Sequence, residues 1–394
     1  MNKVTIKDID VNGKKVLVRV DFNVPIIDGK ITDDNRIVEA IPTIKYLLEN
    51  GASVILMSHL GRPDGKFSEE FSLKPVAKRL SELMGMNVVM ANDVVGDSAK
   101  LLAKDLNAGE VMLLENLRFE AGEEANDEEF TKALASLGEV YVNDAFGTAH
   151  RKHASTYGLA KYLPSAIGFL IEKELSIIVD NIDNPVRPFV GILGGAKVAD
   201  KLSIVNALLD KVDTLIIGGG MSYTFQKAQG YSIGNSLLDE SKINDTLEMV
   251  KKAKEKGVNL LLPVDYVIAK DIKDVASKKM IDTPNIPDGY MGVDIGEKTI
   301  KLYTDAIKSA KTVIWNGPMG VFEQEEFAVG TNKVAIALTE IDGTTIIGGG
   351  DSASAIINMG LQDKITHIST GGGASLKLFE GKELPGVAVI PNKD

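Results

Sequence analysis

Cysteine is missing from all 394 residues, which excludes disulfides, a thiol nucleophile and cysteine-based zinc sites. Only four histidines occur, so a histidine-rich metal site has little to be built from. Arginine is scarce, with seven residues and none after Arg187. Positive charge is outweighed, 44 Lys and Arg against 55 Asp and Glu. The resulting net charge of −11 argues against general nucleic-acid binding but leaves room for a local basic pocket. No uninterrupted apolar stretch approaches a membrane span. The opening MNKVTIKDID lacks the apolar core of a signal peptide, so a cytoplasmic protein is expected. No low-complexity tract or charge block interrupts the chain. Its length, with 44% hydrophobic and 25% charged residues, predicts two globular domains with sizeable cores.

What the chain does have is a repeated pattern of apolar run, glycines and helix-like stretch. It recurs at FVGILGGAK (189–197), LIIGGGMS (215–222), VIWNGPMG (313–320), TIIGGGDS (345–352) and HISTGGGAS (367–375). A β-branched apolar run bounded by glycine reads as a buried parallel strand. Glycine at its exit permits a sharp turn and close approach to a ligand. A helix starting there presents free N–H groups and a positive dipole end, where phosphate binds. Several such exits together predict an open sheet whose carboxyl edge is arranged for a polyphosphate.

The first half alternates strands and helices as well. KVLVRVDFN (15–23), SVILMSHLGRP (53–63), NVVMAND (87–93), VMLLENLRF (111–119) and EVYVNDAFG (139–147) are its strands, with helices such as 35–51 and 72–85 between them. Its strand exits carry Asp21, Asn23, His59, Arg62, Asn116, Arg118, Asn143 and Asp144 instead of glycines. Arg36, Arg62, Arg118 and Arg151 stand at or near these exits or at a helix start, and arginine is the preferred bidentate partner of carboxylate and phosphate. Scattered surface arginines are the plain alternative.

Between the halves, Ile171, Leu175, Ile178 and Ile182 recur at helical spacing until Asn184-Pro185 stops the helix. The segment 165–188 reads as a connector with about 18 residues of helix, roughly 27 Å. An ordinary packed helix fits the pattern equally well. The closing segment 382–394 is too short for a domain and is expected to cross to a neighbouring surface.

RVDFNVP (19–25), HLGRP (59–63), LLENLRF (113–119), VNDAFGTAHRKHAS (142–155), GILGGAKVADK (191–201), WNGPMGVFE (315–323), IIGGGDS (346–352) and STGGGAS (369–375) together resemble the phosphoglycerate kinase family, in order and across essentially the whole chain. The resemblance implies an α/β protein of two Rossmann-like lobes, each a mostly parallel sheet flanked by helices. The implied boundaries are 1–168 for a 3-phosphoglycerate lobe, 169–185 for a connecting hinge helix and 186–377 for a nucleotide lobe, with the tail 378–394 packing back on the first. It implies reversible phosphoryl transfer between 1,3-bisphosphoglycerate and ADP, giving 3-phosphoglycerate and Mg-ATP, in glycolysis and gluconeogenesis. Transfer would be direct and in-line on hinge closure, in a monomer without nucleic-acid or membrane partners.

By the same resemblance, Asp21, Asn23, Arg36, His59, Arg62, Arg118 and Arg151 surround the glycerate. Arg36, Lys197, Lys201 and Gly371, Gly372 and Gly373 are assigned to the moving phosphoryl group. Lys197 and Lys201, Gly349, Gly350, Asp351, Ser352 and Asn316 are assigned to the nucleotide phosphates, Glu323 to the ribose, and Gly218, Gly219 and Gly292 to the nucleoside. Lys197 and Lys201, four apart, are expected on one face of the helix after Gly194-Gly195; a solvated lysine pair is the bland reading. No Walker A sequence occurs, so helix N-termini must cradle the phosphates. Asp351 is the candidate Mg²⁺ ligand, since a hard cation takes carboxylate and phosphate oxygens, although aspartate also suits a plain helix cap. His150 and His153 flank Arg151 at zinc-like spacing, but no third ligand is evident. The nucleophile is already anionic at pH 7, so no general base is needed and alignment with charge stabilisation suffices. A non-enzymatic anion-binding protein and a dinucleotide oxidoreductase are the competing readings. The lysine pair beside the glycine turns disfavours the first, and the lack of a clean G-x-G-x-x-G turn disfavours the second.

Overall fold

The computed structural model describes residues 2–393. The chain divides into two compact units, one running to Ser176 and resuming at Glu383, the other spanning Ile177–Lys382.

In the first unit, β1 (Lys15–Arg19) leads to a short hairpin, β2 (Ile26–Ile27) and β3 (Lys30–Ile31). There follow β4 (Ser53–Met57), β5 (Val88–Met90), β6 (Val111–Leu113), β7 (Val140–Asn143) and β8 (Ser165–Ile167). Apart from the hairpin they form one parallel sheet, ordered β5-β6-β4-β1-β7-β8. Val16, Leu17 and Val18 are all fully buried, as a central strand covered on both faces requires. The helix Asn35–Glu49 turns Ile37, Ala40, Ile44 and Leu47 inward onto the same core.

The segment 165–188 holds a strand and a helix. Its first residues are the edge strand β8, and the helix covers Phe169–Asp183, 15 residues. Asp144 sets the start. One oxygen of its buried carboxylate accepts N–H bonds from Leu170 at 2.8 Å and Ile171 at 3.2 Å. These are orphan donors of the first turn, and their capture caps the helix there. From Glu383 onward the chain packs on the first unit: Gly386 N–H donates to the carbonyl of Ala149 at 2.8 Å, and Asn143 Nδ2 to that of Gly386 at 2.9 Å.

Burial pushes Asp144 up to about 7, with hydrogen bonds from Thr43 and the two helix amides working against it. A folded-state value above the unfolded one stabilises at low pH and is lost as pH rises between about 4 and 7. Asp144→Asn keeps the two amide bonds but removes the titration. Between pH 5 and 8 the variant is expected to gain up to about 3 kcal/mol on the wild type. Urea denaturation of both proteins at the two pH values measures this, and parallel pH profiles would count against it.

The second unit contains β9 (Phe189–Leu193), β10 (Thr214–Ile217), β11 (Asn259–Leu261), β12 (Tyr266–Ala269), β13 (Lys279–Ile281), β14 (Met291–Ile295), β15 (Thr312–Asn316), β16 (Thr344–Ile347) and β17 (His367–Ile368). Six form a parallel sheet ordered β11-β10-β9-β15-β16-β17. In chain order this is 3-2-1-4-5-6, whose direction reverses between β9 and β15, where doubly wound sheets bind ligands. β12, β13 and β14 make a separate antiparallel sheet that no glycine exit signals in the sequence.

Helices follow three of the five glycine exits directly, at Met221–Ala228, Gly350–Asn358 and Gly373–Phe379. The other two exits continue as loops, to Leu202 after β9 and through a short 3-10 turn to Val329 after β15. Lys197 and Lys201 are therefore not on a helix face. Both lie in the loop before the helix Leu202–Leu208, with Lys201 as its N-cap.

Candidate functional site

Polar side chains gather at the carboxyl ends of the first unit's strands. Asp21, two residues past β1, is buried, and Arg36 Nη1 meets its Oδ2 at 2.6 Å. Gly147 lies against both: a methyl group there would sit 2.5 Å from that oxygen and 3.8 Å from Nη1. The Oδ1 of Asn23 accepts from Gly61 N–H at 2.9 Å, tying the β1 exit to the β4 exit. Arg118 Nη1 donates to the Gly61 carbonyl at 2.8 Å. Its Nη2 stands 3.2 Å from Glu124, which Arg151 also approaches at 3.9 Å. Arg118 Nε is buried without a hydrogen-bond partner. Arg62, next to Gly61, is exposed. His59 is buried, with Arg19 Nη2 3.2 Å from its Nδ1. Burial drives its pKa well below the ordinary histidine value; Asp21 opposes this, and Arg19, Arg118 and Arg36 reinforce it.

Asn116 is a strand-exit residue with a different task. Fully buried, it accepts from Leu60 N–H at 3.1 Å and donates to Leu60 and Phe71 carbonyls at 2.6 and 2.9 Å. It fixes the loop that carries His59 and Arg62. Arg19, Glu123 and Ser155, absent from the sequence-derived set, lie buried behind His59. Arg19 had a signal, a charge inside an otherwise apolar strand. Glu123 and Ser155 had none, since nothing in their spacing marks them as partners.

In the second unit a cleft of about 370 Å³ opens at the β9–β15 reversal. Gly195, Lys197, Lys201, Asn316, Gly317, Gly349, Gly350, Asp351 and Ser352 line it, together with Ala196, Asp200 and Leu376. Neighbouring exits brace one another there. Gly194 N–H donates to the Asn316 carbonyl at 2.9 Å, Gly195 N–H to that of Pro318 at 3.0 Å, and Gly317 N–H to Ser352 Oγ at 2.6 Å. Asn316 Nδ2 donates to the Gly348 carbonyl at 2.6 Å, so part of its amide is committed to the scaffold. The helix Gly350–Asn358 opens on this cleft and offers its first-turn amides to an anion. Burial lowers Lys201 to about 8, against the opposing pull of Asp351 and Asp200. Asp351 itself is exposed.

Other sequence-derived positions lie apart from this lining. The helix Gly373–Phe379 reaches the cleft through Leu376 and not through Gly371, Gly372 or Gly373. Glu323 is an exposed residue in the turn after β15. Gly218, Gly219 and Gly292 face protein atoms. A methyl group on them would stand 2.4 Å from Met319 Sδ, 2.6 Å from Gly195 N and 2.2 Å from Tyr223 Oη respectively. At Gly219 the obstacle is backbone, so packing there demands glycine. Among the described residues no group of three metal-ligating side chains occurs, and no helix is long and apolar enough to cross a membrane.

A lysine-lined cleft at the switch point of one parallel sheet, and an arginine-rich cluster at the carboxyl edge of another, mark an α/β protein of two sheet-based units. A sequence model of the family described as phosphoglycerate kinase matches residues 6–382. The phosphoglycerate kinase of Clostridium botulinum strain Hall is 60% identical, the match covering 100% of this chain and 99% of that protein. That of Clostridium tetani is 59% identical, covering 100% and 98%. The solved phosphoglycerate kinase from Coxiella burnetii superposes with a TM-score of 0.90 at 40% identity, and that from Pyrococcus horikoshii OT3 with 0.81 at 35%, each over 98% of both chains. The chain belongs to the phosphoglycerate kinase family and is a kinase of glycolysis, binding ATP and transferring its phosphoryl group to a carboxyl acceptor.

Proposed function

We propose that the first unit's cluster binds 3-phosphoglycerate or 1,3-bisphosphoglycerate and that the second unit's cleft binds the phosphates of ATP or ADP. The observation that carries this is the cleft itself, where two lysines, two carboxylates and a helix N-terminus converge at a sheet switch point. In the first unit Arg36, Arg62, Arg118 and Arg151 balance the charge of a phosphate and a carboxylate. Asp21, Asn23 and His59 hydrogen-bond the hydroxyl and phosphate oxygens. In the second, Lys197 and Lys201 meet the nucleotide phosphates with Asn316, Gly349, Gly350 and Ser352. Glu323 takes the ribose, and Gly218, Gly219 and Gly292 form the nucleoside wall. Arg36, Lys197, Lys201 and the amides of Gly371, Gly372 and Gly373 stabilise the transferring group, and a hinge closure brings the two ligands end to end. The proposed protein is a cytoplasmic monomer whose partners are its small-molecule substrates. A coupled assay for ATP formation from 1,3-bisphosphoglycerate and ADP tests the reaction, and absence of product would sink it.

Mg²⁺ fits the residues present. Two exposed carboxylates, Asp351 and Asp200, stand at the cleft, and a hard cation completes its shell with phosphate oxygens and water. The metal would neutralise phosphate charge, and Asp351 would hold it. Asp351→Asn is expected to weaken Mg-nucleotide binding roughly tenfold or more while leaving 3-phosphoglycerate binding nearly intact. Calorimetry with each ligand alone checks this; equal loss of both would make Asp351 a structural residue.

Lys201 gives a pH signature. A cation that titrates near 8 is present below that pH and lost above it. Nucleotide kcat/KM should therefore fall as pH rises through about 8, and Lys201→Arg, which stays charged, should remove that limb. An unchanged limb in the arginine variant would assign the titration to another group.

A further inference from the structure

Arg19, the last residue of β1, is only 1% exposed and is wholly committed to partners. Nε donates to Ser155 Oγ at 2.8 Å, Nη1 to the Val20 carbonyl, and Nη2 points at His59 Nδ1, 3.2 Å away. Behind it, Ser155 donates through Oγ and N–H to the two oxygens of buried Glu123, and Tyr141 Oη donates to the Ser155 carbonyl at 2.7 Å. The guanidinium is thus held in place by a network that does not involve the histidine.

A guanidinium has only donors and keeps its charge in proteins. The nitrogen it faces must accept. His59 Nδ1 therefore carries a lone pair, and the single ring proton sits on Nε2. Protonating Nδ1 as well would set N–H against N–H and place two cations side by side in a buried position. Among the described residues the contact at Nδ1 is the ring's one hydrogen bond, so the Nε2–H on the opposite edge is left for a ligand.

We propose that Arg19 is a positioning residue that locks His59 in the neutral Nε2–H tautomer, making it a fixed uncharged donor to an acceptor oxygen of the glycerate ligand. This rests on the proposed placement of His59 at that ligand. The arginines then carry the charge balance, while His59 contributes direction. A neutral donor does not change its charge between about pH 5 and 8, the range in which an unrestrained histidine titrates.

The test uses the full chain with ¹⁵N-labelled histidine. Long-range ¹H–¹⁵N spectra read the protonation of each ring nitrogen, and His59→Asn assigns the signal among four histidines. The expected spectrum shows Nδ1 bare, Nε2 protonated and no titration between about pH 5 and 8. In Arg19→Met/Glu123→Gln, which removes the Arg19 and Glu123 charges together, the ring should lose its single tautomer and show both. KM for 3-phosphoglycerate should rise roughly tenfold, with kcat little changed. The wild-type spectrum decides the tautomer whatever the stability of the double variant. A proton on Nδ1, a doubly protonated ring at neutral pH, or an unaltered ring in the double variant would overturn the proposal. A bare Nδ1 together with an unchanged KM for 3-phosphoglycerate in His59→Asn would instead overturn the placement of His59 at the ligand, leaving the hold of Arg19 on the ring standing.

Discussion

Replacing Arg36 with alanine is expected to lower kcat on the order of 10²-fold or more, with the KM for ATP changed far less. The proposed role puts this charge on the moving phosphoryl group, and one such contact contributes on the order of 3 kcal/mol to the transition state. Arg36 is well suited to it. It sits in the first turn of the helix Asn35–Glu49, 36% exposed, and its partner Asp21 at 2.6 Å holds the fork near the strand exits. The same salt bridge complicates the experiment, because alanine leaves the buried Asp21 carboxylate without its cation. Arg36→Lys separates the effects. It restores a charge near Asp21 but lacks the planar fork, so its stability should approach the wild type while kcat stays depressed. Steady-state kinetics and thermal melts of both variants give the answer. An Arg36→Ala defect confined to the KM for ATP would overturn the role.

Gly317→Ala is expected to cost about 3 kcal/mol or more of stability and to abolish tight nucleotide binding. Gly317 follows β15 with φ +97, a conformation that side chains avoid, and an added methyl group would lie 2.2 Å from the Gly194 carbonyl oxygen. The obstacle is backbone, so relief requires the β9 and β15 exits to part. Gly195, Asn316 and Gly317 of those exits line the cleft with Lys201 and Asp351. Gly360→Ala is the control. Its φ of +65 is also left-handed, but no atom lies within 4 Å of the added methyl. It should cost only about 1 kcal/mol and leave nucleotide affinity intact. Equal behaviour of the two variants would show that backbone conformation, and not the close approach of the exits, governs Gly317.

The β-branched runs were legible because a central parallel strand is apolar on both faces, which no other short element needs to be. The glycine exits were legible because few residues can occupy left-handed turns. The helix expected to carry Lys197 and Lys201 failed for a related reason. Four-residue spacing defines a helix face only where a helix exists, and here residues 195–201 stay in a loop whose start, Gly195, donates to the Pro318 carbonyl after β15. β12, β13 and β14 escaped notice because antiparallel strands in a small satellite sheet need neither a continuous apolar run nor a glycine exit. Gly218, Gly219 and Gly292 also serve packing, since Met319, Gly195 and Tyr223 stand where a side chain would be.

The sequence by itself determined two parallel-sheet halves, a basic first set of strand exits, a glycine-rich second set and the family to which all of them belong. These are properties of local chemistry, written in the order of residues along each strand and turn. Only the tertiary structure decided that Asp21 would meet Arg36, that Arg118 and Arg151 would share Glu124, and that burial would lower Lys201 to about 8 against the pull of Asp351. It also decided that Arg19 would face His59, 40 positions along the chain, with Glu123 and Ser155 behind it. Such relations depend on which strand exits become neighbours when a sheet is ordered. That ordering is a property of the whole fold, because burial and facing charges arise only once distant segments have packed.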